Sequence, residues 1–550
     1  MPSAPAPATV GSVPAVPWLL LAALLVAAAS GGAEAADPRP PNVVLFLLDD
    51  LGWRDLGCYG SSFHETPSID RLAEEGVRFT DAYAACHVCS PTRASLLTGK
   101  YPARLHLTDW LPGRKQFPFQ RLLNAPIEPA LPAAEVTLAE ALREHGYATA
   151  HIGKWHLGEE PHGPRSQGFD LQVPRWNKGW PNKGYHAPFE LEGLPDQPGE
   201  YLTDRLTDEA ERFITAQRDR PFFLYLSHFA VHDPIEGRAD LVAKYRERRD
   251  RVRDRAATGP EFVLEGNPDD PHPLTPADLA ERSGRPEWSE YRVLPDRTVK
   301  IKQHQDNVEF AAMVESADES LGRIRRRLEE LDLDGETIIV VVSDNGGMSA
   351  ANFGNPRRVV PPDRLDRSFS TSNLPLRGAK GWLYEGGIRV PLIIRWPAGG
   401  TAGGVCSEPV ITTDIYPTVL EMAGLPARQE QHLDGVSLVP LLEADATLGK
   451  AATTLGRDAL YWHFPHYSNH GMQSPGGAVR SGRHKLLEYF ENGTVQLFDL
   501  VADPGEQRDL SRADPERAER MRTELAAWRT RVGAAEMLPN PEHREPAETR

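Results

Sequence analysis

The sequence predicts an α/β protein. It has a large domain with a mostly parallel central sheet flanked by helices, and a small C-terminal α+β subdomain with an antiparallel sheet. Three observations carry this. Strand-like and helix-like segments alternate from residue 41 onward, the pattern of a parallel sheet with crossover helices. The strand-like runs Asn42 to Leu48, Phe222 to Ser227 and Ile338 to Val342 are nearly all apolar, as in strands buried on both faces. From about Leu460 the pattern changes to short strands around a hairpin turn.

The first strand, NVVLFLL, ends abruptly at Asp49-Asp50. Thr66 to Gly76 reads as a helix stopped by glycine. Thr137 to His145 is another helix, with Thr137 and Glu140 spaced as a capping box and Gly146 after its end. Tyr147 to Lys154 is the next strand, followed by Phe222 to Ser227. Asp306 to Leu331 is a long amphipathic helix, and Val390 to Trp396 a further strand. The charged stretch Glu236 to Lys300, with a basic run around Arg246 to Arg255, breaks the rhythm and reads as a solvated insertion. In the C-terminal part, Ala478 to Tyr489 and Thr494 to Asp499 read as strands around an Asn492-Gly493 turn. Asp514 to Val532 is the last helix, with Asp514 as N-cap and Pro515 at its first position.

These readings divide the chain into an export signal at 1–36, a catalytic domain at 41–445, a C-terminal subdomain at 455–535 and a polar, disordered tail at 536–550. The apolar run Trp18 to Ala29 is too short for a membrane span, and Ala33-Glu34-Ala35 is a small-residue cleavage pattern. No basic residue precedes that run; the first is Arg39. Export to the periplasm or medium is expected, without stable membrane insertion. A net charge of -17 opposes nucleic-acid binding and requires any anion site to be locally basic. The spacing of the four cysteines matches no zinc pattern, and Cys58, Cys86 and Cys406 read as plain buried thiols.

Ligands of open α/β sheets bind beyond the carboxyl ends of the strands. Two strands here end in oxygen donors, Asp49-Asp50 and Asp344-Asn345. Three carboxylates and an amide carbonyl suit Ca²⁺ or Mg²⁺ and not zinc. Cys89 stands in Cys89-Ser90-Pro91-Thr92-Arg93, continuing to Lys100, where Pro91 can begin a helix. A helix N-terminus at Cys89 would favour an anion, with Arg93 one turn on. In His151-Ile152-Gly153-Lys154-Trp155-His156, Lys154 and His156 face the same side if the segment is extended.

The stretch CSPTRASLLTGK resembles the signature of the type I sulfatases, in the alkaline phosphatase superfamily. Further blocks are similar to that family's: Gly153-Lys154-Trp155-His156, Ser343-Asp344-Asn345-Gly346, and Gly378-Ala379-Lys380-Gly381 with Tyr384 to Arg389. The likeness runs from about Pro41 to Leu510. It implies an alkaline-phosphatase-like fold and a Cys89 converted to formylglycine by a separate maturation enzyme. Asp49, Asp50, Asp344 and Asn345, joined by the oxidised Cys89, would hold Ca²⁺ in preference to Mg²⁺. One hydroxyl of the hydrated aldehyde would attack sulfur, and the second would let the covalent sulfate leave. Lys154 and Lys380 would neutralise the sulfate, Arg93 and Lys100 would orient the diol and balance the carboxylates, and His156 would accept a proton. His232, before Asp233-Pro234, matches a histidine placed near the leaving oxygen, with His228 its rival.

The substrate implied is a sulfated oligosaccharide or small aryl sulfate. Candidates for the leaving-group pocket are Trp110, Trp176, Trp180, His463, His466, Asn469 and His470, with His466 singled out as a sugar ligand. Two other readings stand beside this one. One is a phosphodiesterase or phosphonate monoester hydrolase of the same superfamily. The other is a non-catalytic binding protein on the same scaffold.

Overall fold

The computed structural model describes residues 39–252, 259–267, 269, 274–284, 291–292, 298–352, 359–443, 455–470 and 473–544, with positions 4, 6, 8 and 11. The apolar run and cleavage pattern of the expected export signal, residues 444–454 and the end of the basic run therefore lie outside the described residues. Among the described residues no helix is long and apolar enough to cross a membrane.

The apolar runs fold as the pattern demands. In chain order the main elements are β1 (Asn42–Leu48), α1 (Pro67–Glu75), β2 (Val77–Phe79), α2 (Cys89–Thr98), α3 (Leu138–Glu144), β3 (Ala148–Gly153), β4 (Leu171–Val173), α4 (Leu202–Ala216), β5 (Phe222–Ser227), α5 (Val308–Glu330), β6 (Thr337–Ser343), β7 (Leu392–Arg395) and β8 (Gly404–Cys406). Eight strands form one sheet in the order β8-β2-β7-β6-β1-β5-β3-β4. Strand β7 runs antiparallel to both its neighbours, and the other pairs are parallel. Both faces of β1, β5 and β6 are buried, which is why those runs do not alternate. Val43, Leu45 and Leu47 pack on one side of the sheet, against α2 and α3. Val44, Phe46 and Leu48 pack on the other, against α1, α4 and α5.

The α3 capping box forms as expected, with Glu140 N donating to Thr137 Oγ1 at 3.1 Å and Thr137 N to Glu140 Oε2 at 2.8 Å. The charged insertion is only partly solvated. Within it, Ala239–Arg249 is a helix whose Leu241, Val242 and Tyr245 are buried with Phe63 and Val308.

The C-terminal sheet has four antiparallel strands in sequence order: β9 (Ala459–Phe464), β10 (Gly476–Ser481), β11 (His484–Tyr489) and β12 (Val495–Asp499). The single strand expected over Ala478 to Tyr489 is two strands, because Gly482, at φ 56°, turns the chain between them. Helix α6 (Pro515–Val532) starts where expected, with Asp514 accepting from Arg517 N, and Trp528 stacks on Tyr461 at 4.9 Å. This sheet shares a core with Tyr83, Trp382 and Tyr384 of the larger part, and Pro41–Arg550 is one compact unit. The tail expected to be disordered from 536 is tied down over part of its length. Leu538–Pro539 pairs with Leu122–Leu123, and Asn540 donates to Gln120 O at 2.8 Å. Residues 545–550 lie outside the described residues.

Candidate active site

The parallel order of β6, β1, β5 and β3 brings four strand ends together, and the candidate residues follow directly from those ends. Asp49 and Asp50 leave β1, Asp344 and Asn345 leave β6, Ser227 closes β5, and Lys154 and His156 follow β3. Gly153, at φ 110°, ends β3 against β5; a Cβ there would fall 1.9 Å from Ser227 O. Asp50 and His156 both adopt left-handed backbone, at φ 64° and 59°, conformations that Asp and His accept more readily than most residues.

Helix α2 begins at Cys89, as the motif predicts. Arg93, one turn on and fully buried, ties three strand ends to this helix. Its Nε donates to Asp344 Oδ2 (2.9 Å), and its Nη1 donates to Ser227 Oγ (2.6 Å) and Lys154 O (2.9 Å). Lys154 Nζ lies 2.5 Å from Asp49 Oδ2, and Lys380 Nζ 2.6 Å from Asp50 Oδ1. Asn345 Nδ2 donates to Asp50 Oδ1 at 2.8 Å.

Burial, then the neighbouring Asp344, push the Asp49 carboxyl up to about 8, against Lys154, His232 and Arg93. Burial works the same way on Asp50, but Lys380 and His232 outweigh it and hold that carboxyl down to about 2. Asp49 Oδ1 and Asn345 Oδ1 are buried without a hydrogen-bond donor. Three carboxylates and two undonated oxygens are what a hard divalent cation takes as ligands, so these residues fit one. Asp49, Asp50 and His232 also offer ligand atoms within 4.8 Å of one another. His232 is better read as a neighbour than a ligand, because its Nδ1 is held by Asp233 O at 2.8 Å and hard cations prefer oxygen.

Cys89 Sγ lies 3.3 Å from His156 Nδ1. His156 Nε2 is 2.7 Å from Leu111 O, and a carbonyl can only accept, so Nε2 carries the hydrogen. Burial, then Lys154, push this imidazole well below its usual range. The bare Nδ1 therefore faces Cys89. On the other side, burial and Lys380 work against protonation of His232, but Asp50, Asp233 and Asp49 outweigh them and carry it up to about 9. The two histidines thus hold opposite protonation states beside one cysteine.

A cavity of about 210 Å³ opens over Cys89, lined by His156, His232, Lys380 and, from the pocket candidates, Trp110, Trp180, Asn469 and His470. Other candidates lie elsewhere. Lys100, at the far end of α2, pairs with Glu135 at 2.6 Å and is not brought to Cys89. His228 faces α5, where its Nε2 lies 3.0 Å from Ser320 Oγ, so it is His232 that reaches the site. His466 is buried with Nε2 2.8 Å from Thr108 Oγ1, His463 Nε2 meets Ala535 O, and Trp176 Nε1 donates to Trp180 O. None of these three lines the cavity, so the structure does not bring His466 to where a sugar ligand is expected. Asp233 and Asn352 do line it and were not singled out; no local pattern marks them. All four cysteines are free thiols, and Cys58 and Cys406 are only half-buried.

The α/β scaffold, with Arg93, Lys154 and Lys380 set among carboxylates at its strand ends, is arranged to receive an anionic group beside Cys89. Residues 41–425 match the sulfatase family, and residues 379–530 match the C-terminal region of N-sulphoglucosamine sulphohydrolase. The chain belongs to the sulfatase family, enzymes that hydrolyse sulfate esters. It is 28% identical to a sulfatase of Formosa agariphila, covering 89% of this chain and 88% of that one. Human N-acetylgalactosamine-6-sulfatase is 29% identical, covering 87% and 83%. Among solved structures, Ps i-CgsB in complex with k-i-k-neocarrahexaose superposes with a TM-score of 0.65 at 25% identity, covering 92% and 94%. The phosphonate monoester hydrolase of Agrobacterium radiobacter shares the fold, with a TM-score of 0.58 at 21% identity, covering 90% and 96%.

Proposed function

We propose that the protein is an exported, formylglycine-dependent sulfatase that releases sulfate from a carbohydrate or aryl sulfate. The single observation that carries this is the meeting of Cys89, at the start of α2, with the carboxylates, lysines and histidines of four strand ends. Asp49, Asp50, Asp344 and Asn345 would hold Ca²⁺, with Mg²⁺ the less suited ion. When present, the cation polarises the sulfate oxygens, and formylglycine made from Cys89 by a maturation enzyme supplies, as its hydrate, the attacking hydroxyl.

The chain's own residues do the rest. Lys154 and Lys380 bring fixed positive charge to the place where charge develops on the transferring group. Arg93 touches no cavity surface; it holds Asp344 and the strand ends in place. His156 offers a bare Nδ1 that can take a proton from a group at position 89. His232, on the cavity wall, can donate a proton to the departing oxygen. With Arg93, Lys154, Lys380, His232 and a divalent ion against Asp49, Asp50, Asp344 and Asp233, the centre would be locally positive in a chain of net charge -17. Relatives named for carbohydrate and steroid sulfates are compatible with either type of leaving group.

The test is a parallel assay with sulfate, phosphate and phosphonate esters on protein co-produced with a formylglycine-generating enzyme. Sulfate release is expected, together with a mass loss of about 18 Da on the peptide carrying Cys89, the thiol-to-aldehyde change. Full activity in protein whose residue 89 is entirely thiol would refute the reading. So would preference for a phosphate diester or phosphonate.

A further inference from the structure

The cavity over Cys89 has polar groups that the chemistry above leaves unused. Asn469 and His470 line it and are 7% and 3% exposed. Asn469 Oδ1 and both ring nitrogens of His470 are buried without a hydrogen-bond partner. Such atoms are rare in folded proteins, because each one forfeits its hydration with nothing in return. Elsewhere in the segment His463 Nε2 and His466 Nε2 each have an oxygen at 2.8 Å, although His463 Nδ1 has no partner. His470 is the imidazole of this segment with neither ring nitrogen met, and it is the one that lines the cavity.

The His470 ring is placed in advance. Its backbone N–H donates to Ser468 Oγ (3.1 Å), its carbonyl accepts from Trp382 Nε1 (2.9 Å), and Asn352 bridges it from across. Gly381, next to Lys380, has no side chain to push the ring away; a Cβ there would come within 2.6 Å of its Nδ1. Burial, then Lys380, push this imidazole down to about 3, so it offers one N–H and one bare nitrogen. Beside these groups stand two indoles: Trp110, half-buried, and Trp180, 43% exposed. Flat apolar faces next to unmet donors and acceptors suit a ring with hydroxyls on its edge and C–H bonds on its face. About 210 Å³ is below the roughly 300–1,000 Å³ of drug-sized sites, so the enclosed part of the ligand is close to a single ring.

We propose that Asn469 and His470 select the leaving group by binding hydroxyls of one sulfated sugar ring set against Trp110 and Trp180, in preference to an aryl or steroid group. This rests on the sulfatase reading and narrows it. The experiment measures kcat/KM of matured protein on a panel of monosaccharide sulfates and on 4-nitrophenyl sulfate. Wild type, Asn469→Ala, His470→Ala and His470→Gln are compared, with the formylglycine content of each preparation measured. The sugar-to-aryl ratio should fall about 10- to 100-fold in the two alanine variants, and less in His470→Gln, which keeps a donor and an acceptor. Should His470→Ala fail to fold, Asn469→Ala carries the test. A ratio unchanged in both alanine variants overturns the proposal, as does a wild type that hydrolyses 4-nitrophenyl sulfate and no sugar sulfate. Failure on every sulfate ester, with turnover of a phosphate or phosphonate ester, would overturn the sulfatase reading instead.

Discussion

The protein buries two clusters of charge with the same inventory and opposite finish. In the first, Asp49, Asp50 and Asp344 face Arg93, Lys154 and Lys380 at the strand ends. In the second, Asp81, Glu385 and Glu506 face Arg389, Arg480 and Lys485, where the C-terminal sheet meets the larger part. The second cluster is closed by charge: each of its six carboxylate oxygens has a cation or a donor within 3.0 Å. Lys485 Nζ donates to Glu385 Oε1 (3.0 Å) and forms an ion pair with Glu506 Oε1 (2.9 Å) outside hydrogen-bond geometry, and the other two glutamate oxygens accept from Tyr83 Oη and Glu385 N, each at 2.7 Å. Both Asp81 oxygens pair with arginine. The first cluster is open: Asp49 Oδ1 has no donor, its neighbour Arg93 Nη2 being 3.7 Å away, and Asn345 Oδ1 has none either. Burying charge is costly in both places. A closed cluster recovers that cost from its own partners and acts as cement. An open one leaves oxygens for a partner from outside, as the proposed cation would be.

The difference can be broken most sharply from the closed side. Lys485→Met removes the ammonium from between two buried glutamates. It should cost about 3–5 kcal/mol of stability, read as a lower Tm, while turnover per folded, matured molecule changes little. A loss of turnover without a loss of Tm would mean that this cluster, too, works in the chemistry. From the open side, Asp344→Asn keeps the shape of the side chain and removes a charge. It should reduce kcat/KM by about 100- to 1,000-fold, or about 2.7–4 kcal/mol, and lower the divalent metal content read by elemental analysis. Metal content and turnover that survive while Tm drops would make the open cluster structural like the other.

A smaller effect should appear in pH dependence. Burial raises Glu506 and Lys485 opposes it, but Glu385 adds to the rise, and the carboxyl ends at about 7 from an ordinary 4.5. A raised carboxyl binds its proton more tightly in the folded state. The stability it contributes is therefore fully present below pH 4.5 and is lost as the pH rises through 7. Glu506→Gln cannot titrate. Its stability relative to wild type should climb between pH 4.5 and 8, by on the order of 1–3 kcal/mol. A difference independent of pH would mean that Glu506 is ionised in both states across that range.

How much of this was legible in the sequence follows from how local each signal is. Asp49-Asp50 and Asp344-Asn345 could be paired on paper because both end apolar runs, and parallel strands put such ends side by side. Cys89 and Arg93 are one helical turn apart, so their shared side follows from spacing. His232 and His228 lie on one loop four residues apart, and no periodicity separates them. What separates them is that His228 points at α5, a contact between residues 228 and 320. Asp233 and Asn352 reach the cavity through the fold alone. The split at Gly482 is marked only by the Ser481-Gly482 pair between two β-forming ends of Ala478 to Tyr489, too short a signal to set against the run as a whole.

Lys100 shows where a motif stops being a site, and it gives the smallest effect. It belongs to the same run as Cys89 and Arg93, but the run is a helix, Cys89–Thr98. At 1.5 Å per residue, Lys100 lies roughly 15 Å along the axis from Cys89, beyond the reach of a lysine side chain. Its ammonium meets Glu135 at 2.6 Å, and Gln431 Nε2 donates to the same carboxylate oxygen at 2.6 Å. The pair is 13% and 15% exposed, between the surface case and the buried one. Lys100→Ala should thus cost about 1 kcal/mol of stability, with some of the loss coming from Glu135 left beside Gln431. Turnover and divalent metal content should stay within about twofold of wild type, since nothing it touches lines the cavity. A tenfold loss of kcat/KM at unchanged Tm would show that charge at the far end of α2 is felt at Cys89. The open cluster would then extend the length of the helix.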